Sequence, residues 1–346
     1  MVSTAAWELT LAPTLTRIGS THNWLNSTLV YPSFPFTIFA VIHAVRVACV
    51  YRGIARAGGY DRQLGDLQAA IVPLVLILGG STISSVLLGL VPGWIISPVP
   101  VATYGRVSAP LIPLLAAKSG LVSFLLSLPA LPRETLFCLV DGFSRIMGMA
   151  TLGVDVVRAH PNPAVRSSAW AMILTAFISG GGGGMIVPMF RMFGPEWGFT
   201  STPAFVKEGL SIDVWSAAFI GYVYATLIDA HPFFRKPVAY LLGRLPMLHP
   251  YVHLPKTYFT SVKPSMLLQP AEAKTFCSLL LALMLFTSRI VIPALSRSSA
   301  KASNAAAAQK RRVQDQAQKA VKSASTAVED KVPTEASGIR QRQKAQ

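Results

Sequence analysis

Long apolar stretches alternate along the chain with short breaks of Pro, Gly or charge. Apolar runs approaching the ~20 residues that cross a bilayer predict membrane-spanning helices rather than strands. Seven such stretches stand out, at residues 36–51, 69–90, 109–128, 137–157, 169–190, 212–229 and 274–295. Residues 1–30 contain no comparable run, and residues 296–346 are Ala, Gln, Ser and Lys with almost no large apolar side chain. The predicted fold class is an all-α integral membrane protein. An N-terminal segment (1–30) precedes a seven-helix membrane domain (31–295), and a basic tail (296–346) that cannot bury a core is expected to be disordered.

Composition sharpens this reading. Of 346 residues, 52% are hydrophobic and 13% charged, whereas soluble domains carry about 25% charged residues. An ordinary cytosolic enzyme and a nucleic-acid module are excluded, despite a formal net charge of +16. From Arg297 onward 11 Lys/Arg face 4 Asp/Glu, a net of +7, and such a tail beside a membrane is drawn to anionic lipid headgroups. Arg52, Arg56 and Arg62 follow the first span, so the positive-inside rule puts that loop and the tail in the cytosol and the N-terminus in the lumen. Arg235, Lys236, Arg244, Lys256 and Lys263, between spans six and seven, run against this orientation. The ending Arg342-Gln343-Lys344-Ala345-Gln346 resembles a dibasic retrieval signal and points to the endoplasmic reticulum. The three cysteines are isolated, with no CxxC pair, so neither a disulfide framework nor a zinc site is expected.

Two spans are interrupted by glycine. Gly79, Gly80 and Ser81 break the second, and Gly180, Gly181, Gly182, Gly183 and Gly184, with Pro188 beyond them, break the fifth. Each glycine costs up to ~1 kcal/mol in a helix interior. Matching interruptions in two halves of a chain predict kinked or unwound backbone lining a water-filled pathway, with spans one to three and four to six as inverted repeats. The alternative is that the glycines only let helices pack closely. Ionisable residues at membrane depth are costly and mark function: His43, Arg46, Lys118, Asp141, Arg145, Asp155, Arg158 and Arg289. Asp141 with Arg145 (i,i+4) and Asp155 with Arg158 (i,i+3) are spaced to pair along one helix face. Such pairs either neutralise themselves, line an ion pathway or anchor an acidic headgroup. No GxSxG, HExxH or phosphate-cradling loop occurs, so no catalytic residue and no enzymatic activity are expected. His249 and His253 flank Pro250, which argues against a helical metal pair, and no metal is expected; His160, among prolines, reads as a turn residue.

These features, in this order, resemble the trimeric intracellular cation (TRIC) channels. Tyr31-Pro32-Ser33-Phe34-Pro35 is similar to that family's aromatic–proline entry to its first span. Gly79-Gly80-Ser81 with Val86-Leu87-Leu88-Gly89 resembles its glycine-kinked second span, and Pro132-Arg133-Glu134 the exit of its third. Val154-Asp155-Val156-Val157-Arg158 looks like a Lys-Glu-Val-Val-Arg motif. Thr175 to Gly184 resembles the bend of the fifth span, and Ser288-Arg289 a small-residue/Lys step in the last.

The resemblance implies seven helices, an inverted repeat of three plus three with one extra, assembled as a homotrimer with a pore in each protomer. It implies a potassium channel of the endoplasmic reticulum, and of the nuclear envelope continuous with it, whose counter-ion current supports calcium release. It also implies a phosphoinositide headgroup held by the Lys and Arg of the span-four motif, as the one bound small molecule; no other cofactor is expected. Here Arg158 matches the Arg, whereas Val154 and Ser179 stand where the family has lysines, and the segment 231–270 has no counterpart in the short animal loop. A carrier or flippase moving an organic or lipid substrate through the same broken helices is the other function class compatible with the sequence.

Overall fold

A computed structural model describes residues 6–31, 34–60, 63–104, 120–199, 202–207, 209–237 and 266–298. The described residues are mostly helical (78%). One compact unit runs to Arg289, and a second begins at Ile290. The principal helices are α1 (Ala6–Ser27), α2 (Ile38–Ala57), α3 (Asp66–Leu87), α4 (Ala130–Arg158), α5 (Ala169–Met189), α6 (Ile212–Leu227) and α7 (Pro270–Ser298). Five of them, α2, α3, α4, α5 and α7, are long and apolar enough to cross a membrane. At 16 residues, α6 spans about 24 Å at 1.5 Å per residue, less than the ~30 Å hydrocarbon core. The predicted third span is described only from residue 120, where Leu121–Ser127 is helical. Its remainder, Lys118, residues 238–265 and the tail from residue 299 lie outside the described residues.

Local chemistry sets the helix starts. Thr37 and Ser168 cap α2 and α5, their hydroxyls accepting from the amides of Ala40 (3.3 Å) and Ala171 (3.1 Å). Gln269 and Glu272 form a capping box at the start of α7. Leu29–Tyr31 pairs antiparallel with Phe34–Thr37 directly before α2.

Helix α1 is the element with no counterpart in the predicted spans. Its hydropathy is too low to mark a crossing, yet it packs on α2 and α7. Leu15 is buried, the Thr16 hydroxyl donates to Glu272 (3.2 Å), and Gly19 lies against the Thr275 side chain. The His22 ring sits between Phe39 and Phe143, at 4.7 and 4.9 Å between centroids, and burial lowers its pKa below the ordinary imidazole value.

At the centre lies α5, whose glycines pack closely, the alternative the sequence left open. The five glycines do not unwind the backbone: α5 is unbroken α-helix from Ala169 to Met189. Nor does Gly79-Gly80-Ser81 interrupt α3. The glycines instead expose bare backbone, onto which three neighbouring helices close. A Cβ on Gly182 would fall 2.8 Å from the Cα of Gly80 in α3, one on Gly183 would run into the Leu76 carbonyl, and one on Gly181 would meet the Val214 carbonyl of α6 at 3.0 Å. Gly148 and Gly153 bring α4 equally close, with added Cβ atoms 3.0 Å from the Ser179 carbonyl and 2.7 Å from the Ala176 Cα. The propensity cost of glycine is offset by this backbone-to-backbone packing. Irregular helical backbone is found instead in α4, where Met147–Asp155 winds as π-helix, and in α7, where Thr287–Val291 does, carrying Arg289.

The packing separates neighbouring glycines sharply. Gly183→Ala is expected to destabilise the protein by about 3 kcal/mol or more, because neither the Leu76 carbonyl nor the helix carrying it can give way locally. Gly184→Ala, whose Cβ would sit 3.6 Å from a Val214 methyl, is expected to be neutral or stabilising by up to ~1 kcal/mol. Thermal unfolding of the two variants in detergent measures the difference.

Candidate functional site

A cavity of ≈ 770 Å³ opens between α2, α3, α4 and α5, with Asp213 of α6 and Arg289 of α7 reaching into it. Small residues make one wall: Ser81, Ser179, Gly180, Gly183 and Gly184. Charges make the other. They form a chain in which each carboxylate is shared between arginines of different helices. Arg46 of α2 donates to Asp141 Oδ2 at 2.9 Å, and Arg289 donates to the same oxygen at 2.7 Å. The other terminal nitrogen of Arg289 reaches Asp213 Oδ1 at 2.7 Å, and Arg145 meets that oxygen at 3.2 Å. Arg145 also donates to the backbone carbonyls of Asp213 and of Gly180 (3.3 Å), the latter on the glycine wall.

The i,i+4 pair expected of Asp141 and Arg145 is therefore not the one that forms. Asp141, almost fully buried, turns to the arginines of α2 and α7, while Arg145 turns to the first turn of α6. Two guanidiniums compensate a buried carboxylate better than one neighbour along a helix, because desolvation is steepest where the charge is deepest. Asp213 sits in the first turn of α6, where a carboxylate also opposes the positive end of the helix dipole. Arg46 stacks its guanidinium 4.3 Å from the Phe137 ring centroid, and Arg133–Glu134 (3.1 Å) completes the charged lining.

A second polar cluster stands apart from this lining. Asp155 accepts from the Tyr224 hydroxyl on both oxygens, at 3.0 Å each, and pairs with Lys274 of α7 at 2.9 Å. Arg158 stands 3.7 Å from Asp155, the i,i+3 pair the spacing predicts. Val154, where the resembling family has lysine, is fully buried. His160 lies in the connection after α4, as expected of a turn residue, and is buried there: it bonds the Leu88 carbonyl at 2.9 Å and accepts from the Asn162 amide at 3.1 Å, tying the ends of α3 and α4 together. Among the described residues no His, Cys, Asp or Glu grouping could hold a metal ion.

Of the residues singled out in the sequence, Ser81, His43, Arg46, Asp141, Arg145, Arg289 and three of the five α5 glycines line the cavity. Asp155 and Arg158 do not, and Lys118 lies outside the described residues. The sequence reading missed Asp213, although a lone carboxylate in the first turn of an apolar helix is itself a signal. No protein-family model, no curated protein and no solved structure matches the chain.

Asp141 is the residue whose loss the site should tolerate least. Asp141→Asn leaves Arg46 without its carboxylate and Arg289 with only Asp213. Breaking a buried ion pair from one side costs about 3–5 kcal/mol, so the variant is expected to lose most of its folded yield or to unfold at a markedly lower temperature in a detergent melt.

Proposed function

We propose that the chain is an ion-conducting channel of the trimeric intracellular cation kind, with seven spans arranged as an inverted repeat of three plus three and one extra. In this reading it forms a homotrimer in the endoplasmic reticulum membrane, each protomer carrying its own potassium pathway, and supplies counter-ion current during calcium release. The observation that carries the reading is the charged cavity at the junction of membrane helices: polar groups at membrane depth are tolerated where they line a water-filled space. The carboxylates of Asp141 and Asp213 offer a cation successive partners, and the glycine wall keeps that space clear of side chains. A second support is the α3–α5 crossing. Gly80 faces Gly182 and Ile178, and Gly182 faces Gly80 in return. The two helices that cross there, α3 and α5, are the second helices of the two expected halves, and each brings a glycine to the crossing. In this reading Arg158 holds an anionic headgroup, supported by the cationic neighbour Lys274, which shares Asp155 with it.

A carrier or flippase for an acidic organic or lipid substrate is favoured by one observation. The described lining holds four guanidiniums, Arg46, Arg133, Arg145 and Arg289, against three carboxylates, Glu134, Asp141 and Asp213.

Purified protein in planar bilayers under a potassium chloride gradient separates the two. The channel reading expects unitary currents reversing near the potassium equilibrium potential, from particles with the mass of a trimer. Asp213→Asn is expected to lower potassium conductance several-fold, since a carboxylate at a pore mouth raises the local cation concentration. Substrate flux in fixed stoichiometry without unitary current would establish the carrier instead.

A further inference from the structure

We propose that the central cavity binds one small monovalent anion of the chloride class among Arg46, Arg145 and Arg289. The proposal rests on the charge and hydrogen-bond balance of the cavity and goes beyond the conduction reading, since it holds whether or not ions cross. Across the chain Arg46–Asp141–Arg289–Asp213–Arg145, three guanidiniums share two carboxylates, and Arg133 and Glu134 cancel one another. One positive charge is left over in the lining among the described residues. An uncompensated charge at membrane depth is costly.

The hydrogen bonds carry the same imbalance. Each guanidinium has five N–H donors and no acceptor, yet the three converge on single oxygens: Arg46 and Arg289 on Asp141 Oδ2, Arg145 and Arg289 on Asp213 Oδ1. The Arg46 side chain is more than nine-tenths buried and lines the cavity, and its Nε finds no acceptor among the described residues. A halide supplies what the site lacks: one negative charge and the capacity to accept several N–H bonds at once. A phosphate dianion would overshoot the single excess charge. The cavity is large enough for the ion with part of its water.

The test uses the full chain purified in detergent, with chloride exchanged against gluconate at constant ionic strength. The thermal unfolding midpoint is expected to rise by about 3 °C or more as chloride goes from zero to about 100 mM, because a ligand that binds only the folded state stabilises it. Arg46→Gln balances the chain at two guanidiniums to two carboxylates and is expected to abolish the shift. Asp213→Asn, at a half-exposed side chain, increases the positive excess and is expected to enlarge it, which keeps the test decisive should Arg46→Gln fold poorly. Equal midpoints in chloride and gluconate would overturn the proposal. So would a shift of the same size in wild type and Arg46→Gln, which marks a general salt effect, or stabilisation by anionic lipid with indifference to chloride. The midpoint is read without any current, so a failure to conduct leaves this outcome untouched.

Discussion

A buried carboxylate, Asp141, is the constraint from which the arrangement of the helices follows. Its ionised form cannot persist in a low-dielectric interior without close opposite charge. No partner in its own helix supplies that charge; Arg46 of α2 and Arg289 of α7 do. Satisfying Asp141 therefore draws α2 and α7 onto α4. Arg289 in turn needs a second acceptor, which brings in Asp213 at the start of α6, and Asp213 fixes Arg145. Four helices are thus joined by one continuous run of ion pairs. The long guanidinium side chains of Arg46, Arg145 and Arg289 reach across to these carboxylates and line the cavity.

The opposite wall is built on the reverse principle. There α3, α4 and α6 approach α5 with almost nothing between the backbones, because residues 180–184 carry no side chains. Close packing of small residues gives membrane helices their dispersion contact when hydrophobic burial offers none. Gly142 does the same between α4 and α7, where an added Cβ would run into the Ser278 carbonyl. Long polar side chains on one side and bare backbone on the other give an asymmetric cavity, and the Gly180 carbonyl joins the two walls by accepting from Arg145. The π-helical stretch of α4 lies across α5, where Gly148 and Gly153 make their close approach.

Much of this was legible in the sequence, because hydropathy and charge depth are local properties. The apolar stretches that became α2, α3, α4, α5 and α7 were visible, as were Arg46, Asp141, Arg145 and Arg289 as charges at depth. What could not be read was partnership. Spacing i,i+4 suggested Asp141 with Arg145, but the partners come from residues 95 and 148 positions away in sequence. The choice between unwinding and close packing at the glycine run could not be read for a related reason: helix propensity scores a residue against water, whereas in the structure the same bare backbone is covered by three helices. Helix α1 escaped notice because it packs through Leu15, Thr16 and Gly19, too mixed a face to register as apolar periodicity. The π-helical stretches of α4 and α7 carry no signature in the residue pattern.

That a shared carboxylate, rather than independent surface charges, holds the helices around the cavity is tested most directly by a double-mutant cycle between Asp141 and Arg289. Unfolding free energies of Asp141→Asn, Arg289→Gln and the double variant, measured in one detergent, give the coupling between the two side chains. A shared buried pair predicts strong non-additivity, a coupling of about 1–3 kcal/mol. Effects that add to within about 0.5 kcal/mol would contradict it, and would mean that Arg289 and Asp141 merely lie near one another at 2.7 Å without holding α4 to α7.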